Sequence, residues 1–198
     1  MVKKLIVFEG IDGSGKSTQI KLLQDYLKNS NQDFFIHKYP TAKAKKIKDF
    51  INFKLELSED EAFFEYIQDI ASEQKIIEKE LENAFVICDR YVISTLAYQS
   101  IQAPLDKRIQ QAQAFKIRPP DLIFWLDIEP KVALERKLKN KLADRFESDL
   151  AKLNKIRQNY SNLYQIRYMT KNWIKLDALE DKKKIFSAIK STIAKLLG

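Results

Sequence analysis

The chain of 198 residues is 45% apolar and 31% charged, a balance that suits one globular domain with a sizeable core and excludes a disordered chain. No apolar run approaches the ~18–20 residues needed to cross a bilayer, and the N-terminus lacks a secretion signal's apolar segment, so a cytoplasmic location and no membrane partner are expected. A net charge of +8 suits either nucleic acid or a polyanionic small substrate, but the lysines scatter over Lys43–Lys54, Lys131–Lys155 and Lys182–Lys195. Without one coherent basic motif they read as solvated helix faces, and nucleic acid is not the expected partner.

Leu5–Glu9 is a short apolar run that reads as a buried strand, and Gly10 to Ser17 follows it with the spacing Gly, four residues, Gly-Lys-Ser. Gly10, Gly13 and Gly15 are three of the chain's four glycines, placed where a backbone must approach a ligand closely. The amides of Gly10, Ile11, Asp12, Gly13, Ser14, Gly15, Lys16, Ser17 and Thr18 can converge on phosphate oxygens at the positive end of a helix beginning near Lys16. Lys16 then reaches the outer phosphates as a point charge, and Ser17 offers its hydroxyl to Mg2+. Ile20, Leu23 and Leu27 give the following segment a helical apolar stripe.

Asp33–Tyr39 reads as a second strand, ending in Lys38-Tyr39-Pro40; its lone His37 is expected to be a core or edge histidine rather than a proton shuttle. Leu55–Leu81 reads as one helix, started by Ser58 with Glu61 three residues on as in a capping box. Ala84–Asp89 is the third strand; its Cys88, the only cysteine, is expected to be a small buried residue. Asp89 ends that strand as a carboxylate able to accept from Mg2+-bound water or from Ser17, and Arg90 follows as a planar donor suited to phosphate. Asp121–Asp127 and Trp173–Asp177 complete five strand-like runs, with Pro130 opening the helix after the fourth. Strands alternating with helices predict an α/β fold, a five-stranded parallel sheet with helices on both faces. Its ligands gather at the carboxyl ends of the strands, where the phosphate loop, Lys38-Tyr39-Pro40 and Asp89-Arg90-Tyr91 all fall.

Two segments taken together, Phe8-Glu-Gly-Ile-Asp-Gly-Ser-Gly-Lys-Ser-Thr-Gln19 and Asp89-Arg-Tyr-Val-Ile-Ser-Thr-Leu-Ala-Tyr-Gln99, closely resemble the thymidylate kinase family. Pro120-Asp-Leu-Ile-Phe-Trp-Leu-Asp127, Asp144-Arg-Phe-Glu147 and Leu176-Asp-Ala178 match in the same order, so the resemblance spans nearly the whole chain. It implies a P-loop NTPase fold in one domain over residues 1–198, with a lid at about 136–147, usually assembled as a homodimer. It also implies transfer of the ATP γ-phosphate to the 5′-phosphate of dTMP, with Mg2+ as cofactor. By the same resemblance Gly10–Thr18 hold the ATP phosphates and Asp12 contacts the acceptor's sugar 3′-hydroxyl or phosphate surroundings. Arg90 bridges the acceptor phosphate and the transferred group. Ser94 lies by the base, Tyr98 against the deoxyribose where it crowds a 2′-hydroxyl, and Gln99 lines the pocket. The Asp177-Ala178 turn borders adenine, and Arg136 and Arg145 belong to the segment that closes over ATP.

Three departures from the family pattern matter. The third helix, Phe63–Gln74, has no arginine to read the base, leaving Phe64 or Tyr66 to stack and Gln68 or Gln74 to read a base edge. After strand two the sequence offers Lys38 and Lys43 where an arginine is usual. The phosphate loop carries no arginine, a pattern that in the resembled family goes with catalytic arginines in the lid, and there Arg145 is favoured over any one of the lysines at 137, 139 and 141. Two other readings stay open at this stage: a kinase of the same superfamily acting on another deoxynucleotide or deoxynucleoside, and a non-catalytic P-loop protein that binds nucleotide or nucleic acid.

Overall fold

The computed structural model describes residues 3–139 and 150–197. Five parallel strands form one sheet in the order β2-β3-β1-β4-β5: β1 Leu5–Glu9, β2 Phe34–Lys38, β3 Phe85–Asp89, β4 Leu122–Asp127 and β5 Trp173–Asp177. All five expected strands are present, and β1 and β5 have the expected bounds. The three central strands are buried at every position, which requires cover on both faces of the sheet. The edge strands β2 and β5 are only partly buried.

Helix α1 (Lys16–Asn29) buries the expected stripe of Ile20, Leu23 and Leu27 and packs against α9 (Lys182–Leu197). A second group of helices gathers around α5 (Val92–Tyr98): α3 (Glu59–Ser72), α6 (Leu105–Gln113) and α8 (Leu150–Gln165). Helix α5 packs on α3, α6 and α8 and is buried along all seven residues. Two shorter helices, α2 (Lys45–Ile51) and α4 (Gln74–Glu80), flank this group, and α7 (Pro130–Lys139) opens at Pro130 as expected.

One expectation is corrected. Leu55–Leu81 is not a single helix but α3 followed by α4, with the break at Glu73. The Ser58–Glu61 capping box does start α3. At Glu73 tertiary contacts override the helical pattern. Its carboxylate takes an ion pair from Lys43 at 3.0 Å and lies 3.9 Å from His37 Nδ1, while Gln74 Nε2 donates back to the Ile70 carbonyl. His37 Nε2 meets Glu80 at 2.6 Å, so this histidine ties β2 to α4. Cys88 is fully buried, and its thiol is pushed up by that burial.

Candidate functional site

The phosphate loop is shaped by its backbone. Gly10 and Gly13 have φ of 139° and 80°, and a Cβ on either would lie 2.5 Å from a carbonyl oxygen, that of Leu126 or of Ala133. The loop can therefore lie against β4 and α7 only with glycine at these two places. Lys16 Nζ donates to the carbonyls of Gly10 (2.9 Å) and Ile11 (3.1 Å), which holds the ammonium over the loop. Burial first, then the charge of Arg90, lowers its pKa to about 8, against the opposing pull of Asp12, Asp89 and Glu9.

Arg90 sits at φ 71°, a left-handed conformation that costs a non-glycine residue about 1–3 kcal/mol and recurs at functional sites. Its amide still joins the sheet, donating to the Phe8 carbonyl at 3.0 Å, and the unusual turn sends the side chain over the phosphate loop. Nη1 donates to Gly10 O (3.2 Å) and Ser94 Oγ (3.1 Å), and Nη2 to Asp12 Oδ1 and the Tyr98 hydroxyl (3.4 Å). Burial works against the charge on Asp12, but Arg90, Lys16 and Lys137 outweigh it and hold the carboxyl well below the usual range.

Two cavities meet at Arg90. The larger, about 720 Å3, is lined by Gly13, Gly15, Lys16, Ser17 and Thr18 of the loop, with Asp89, Arg136 and Lys137 opposite. The smaller, about 300 Å3, is lined by Tyr39, Pro40, Ile51, Tyr66, Tyr91, Ser94, Thr95, Tyr98 and Gln99. Asp12, Lys38 and Arg90 border both. Gly10, Ile11 and Ser14 stand behind the larger cavity as the body of the loop. Ala178 does not line it either; Arg136 donates to the Ala178 carbonyl at 3.0 Å and to that of Gly13 at 3.4 Å, tying the turn after β5 to the loop. Asp89 Oδ1 is buried with no protein partner. Among the described residues no group of three or more acidic, histidine or cysteine side chains could hold a metal.

The smaller cavity's chief wall is one face of α5. Tyr91, Ser94, Thr95, Tyr98 and Gln99 follow the i, i+3, i+4, i+7, i+8 spacing of a helix, a pattern that could have found Tyr91 and Thr95 from sequence. The N-terminus of this helix is capped from another strand. The Glu9 carboxylate accepts from the amides of Tyr91 (2.9 Å) and Ser94 (3.3 Å), from Ser94 Oγ and from the Tyr160 hydroxyl (3.1 Å). Burial raises its pKa to about 7 despite those donors and the charges of Arg90 and Lys16.

From α3, Tyr66 reaches the smaller cavity and Phe64 does not: Phe64 is half-exposed and packs on Phe63 and Phe115. Gln74 is engaged elsewhere, accepting from the Tyr91 hydroxyl and the Arg118 amide, and Gln68 is exposed. Lys43 pairs with Glu73, leaving Lys38 at the cavities. Arg145 and Asp144–Glu147 lie outside the described residues. Lys137, passed over in favour of Arg145, lies 3.9 Å from Asp12 Oδ2 and lines the larger cavity.

Comparison with known proteins fits this geometry. The thymidylate kinase family model matches residues 8–189. The chain belongs to the thymidylate kinase family. Its curated relatives named thymidylate kinase include one from Thermosipho melanesiensis, 33% identical over 97% of this chain and 98% of its own length. Another, from Prochlorococcus marinus, is 35% identical over 100% and 99%, and one from Dehalococcoides mccartyi is 37% identical over 98% and 96%. As a member of that family, this kinase is a nucleoside monophosphate kinase, a phosphotransferase on a P-loop NTPase fold.

Proposed function

We propose that the two cavities are the two substrate sites for ATP-dependent phosphorylation of dTMP to dTDP, the reaction of this family. The larger cavity takes the ATP phosphates on the loop Gly10–Thr18, with Lys16 neutralising the transferred group and Arg136 bracing the loop against the adenine-side turn. The smaller takes dTMP: Tyr66, Ser94 and Gln99 by the base, Tyr98 against the sugar, and Arg90, Asp12 and Lys38 at the phosphate end. Residues 136–147 serve as the lid of a single domain, with Arg145 as its catalytic cation. The reading extends to a homodimer in the cytoplasm, which rests on the family resemblance.

One observation carries it: the Arg90 guanidinium borders both cavities while bonded to the phosphate loop at Gly10 and Asp12 and to Tyr98 and Ser94 on the other side. A phosphate oxygen of dTMP attacks the γ-phosphorus, the bond to the β-phosphate oxygen breaks, and ADP leaves. The acceptor phosphate is already anionic, so the protein's task is alignment and charge neutralisation rather than proton removal. The residues present fit Mg2+: the unpartnered Asp89 Oδ1 and the Ser17 hydroxyl at the start of α1 would hold it, Asp89 through a metal-bound water. When bound it supplies neutralising charge to the ATP phosphates.

The test is a structure with dTMP and a non-hydrolysable ATP analogue, together with turnover of Arg90→Ala. The reading requires the dTMP phosphate beside Arg90, its base beside Tyr66, and loss of turnover in the variant. A base seated elsewhere, or a variant with wild-type turnover, overturns it.

A further inference from the structure

Arg108 on α6 is fully buried and touches neither cavity. A buried guanidinium persists only when most of its donors and its charge are met, and Arg108 has partners at all three nitrogens. Nε donates to the Gln99 carbonyl at 2.8 Å, Nη1 to Gln111 Oε1 at 3.0 Å and Nη2 to Glu59 at 3.4 Å, and Nη2 makes an ion pair with Asp60 at 2.6 Å. The guanidinium also lies over the Phe63 ring, 4.8 Å from its centre. Its two principal partners are opposite helix ends. Gln99 closes the C-terminus of α5, where a cation is favoured; Glu59 and Asp60 open α3, where carboxylates are favoured.

These ends belong to the two helices that supply Tyr66 and Gln99. On α3, Glu59, Phe63 and Tyr66 lie on one face at i, i+4 and i+7. Arg108 holds the first two, and the third lines the smaller cavity. On α5, Arg108 holds the carbonyl of Gln99, whose side chain lines the same cavity. Glu59 extends the clamp to the loop after α5, accepting from the amides of Ile101, Gln102 and Ala103 at 2.9–3.2 Å. No comparable contact from Arg108 reaches the phosphate loop, which lies on the other side of Arg90.

We propose that Arg108 is a positioning residue for the base end of the acceptor cavity, fixing the spacing of α3 and α5 and so the presentation of Tyr66 and Gln99 to the pyrimidine. The proposal rests on the assignment of the smaller cavity to dTMP. It gives the clamp a directional consequence: loosening it weakens the acceptor and spares the donor. A displacement of about an ångström at a recognition group is enough to change binding severalfold or more.

The experiment measures KM for dTMP and for ATP, with melting temperature, in Arg108→Met, Arg108→Lys, Asp60→Asn and Tyr66→Ala. Arg108→Met raises the dTMP KM about tenfold with the ATP KM changed less than about twofold, and Arg108→Lys, keeping the charge without the planar fork, recovers part of the loss. Asp60, largely exposed, tests the clamp without threatening the fold; Asp60→Asn moves the dTMP KM the same way by about two- to threefold. A folded Arg108→Met with an unchanged dTMP KM overturns the proposal, as does a parallel rise of both KM values, the mark of general loosening. Should Arg108→Met fail to fold, an unmoved dTMP KM in Asp60→Asn overturns it. Tyr66→Ala separates the two levels: no effect on dTMP there removes the cavity assignment itself. An effect there with none in the Arg108 and Asp60 variants removes only the positioning role.

Discussion

The two cavities that share Arg90 are built in different ways. More than half of the larger cavity's described lining comes from the unbroken stretch Asp12–Thr18, and much of its chemistry is backbone: glycine conformations, a helix N-terminus and one lysine held by loop carbonyls. The smaller is assembled from side chains on β2, α2, α3 and α5 and the turns beside them, held by contacts that lie outside it, at Glu9 and Arg108. A polyphosphate has the same shape whatever base it carries, so a fixed backbone cradle serves it. A base and sugar are recognised by shape and by a few placed polar groups, which must come from several directions.

That contrast predicts where each mutation acts. The largest losses fall at Arg90, at the junction, and at Lys16, on the donor side: Lys16→Ala and Arg90→Ala each reduce kcat/KM by about a thousandfold or more, with the melting temperature retained. If Arg90→Ala raised only the dTMP KM and left kcat intact, Arg90 would belong to the acceptor side alone and the junction would disappear. Gly13→Ala comes next and is confined to the donor side. Its Cβ meets the Ala133 carbonyl at a positive φ, so titration calorimetry should find ATP binding lost and dTMP binding kept, with about 2–4 kcal/mol of stability gone in denaturant unfolding.

On the acceptor side, Tyr98→Leu opens the space beside the sugar. Discrimination between dTMP and its ribonucleotide counterpart, read as a ratio of kcat/KM, should narrow about tenfold while the ATP KM stays put.

Two smaller effects follow from pH. The folded pKa of Lys16 lies near 8, below its ordinary 10.5, so the free protein loses this charge as pH rises through about 8. ATP phosphates favour the charged form, so the ATP KM should climb above pH 8 and the dTMP KM should not follow it. Equal movement of both would place Lys16 at the junction rather than on the donor side. For Glu9 the folded pKa near 7 exceeds the ordinary 4.5, so the folded state binds more protons between those values. Stability therefore falls as pH rises from about 4.5 to 7, by up to about 3 kcal/mol, and levels off above. Urea unfolding of the wild type against Glu9→Gln isolates this slope, which should vanish in the variant.

How much was legible beforehand divides along the same line. The five strands, α1 with its buried stripe, the Ser58–Glu61 cap and the loop were readable because each is decided by neighbours in sequence. The break at Glu73 was not, because the contacts that make it come from Lys43 and His37, thirty or more residues away. Phe64 and Tyr66 were equivalent candidates from the helical pattern alone; the rotation of α3, set by burial of Phe63, Ile67 and Ile70 and by the contacts of Glu59 with Arg108 and the 101–103 amides, turned Tyr66 inward. Ile51 carried no local signal at all, reaching the cavity only through the path of α2.

Local order in the chain was enough to determine an α/β sheet, a glycine-bearing loop between β1 and α1 and the Asp89-Arg90 pair at a strand end, since glycine spacing and apolar periodicity act over a few residues. Tertiary structure alone decided that Arg90 stands between two cavities, that Glu9 caps α5 from a different strand, and which aromatic ring of α3 faces the smaller cavity. Those outcomes depend on helices meeting across the sheet, where burial, charge pairing and helix-end dipoles act between segments that no sequence window contains together.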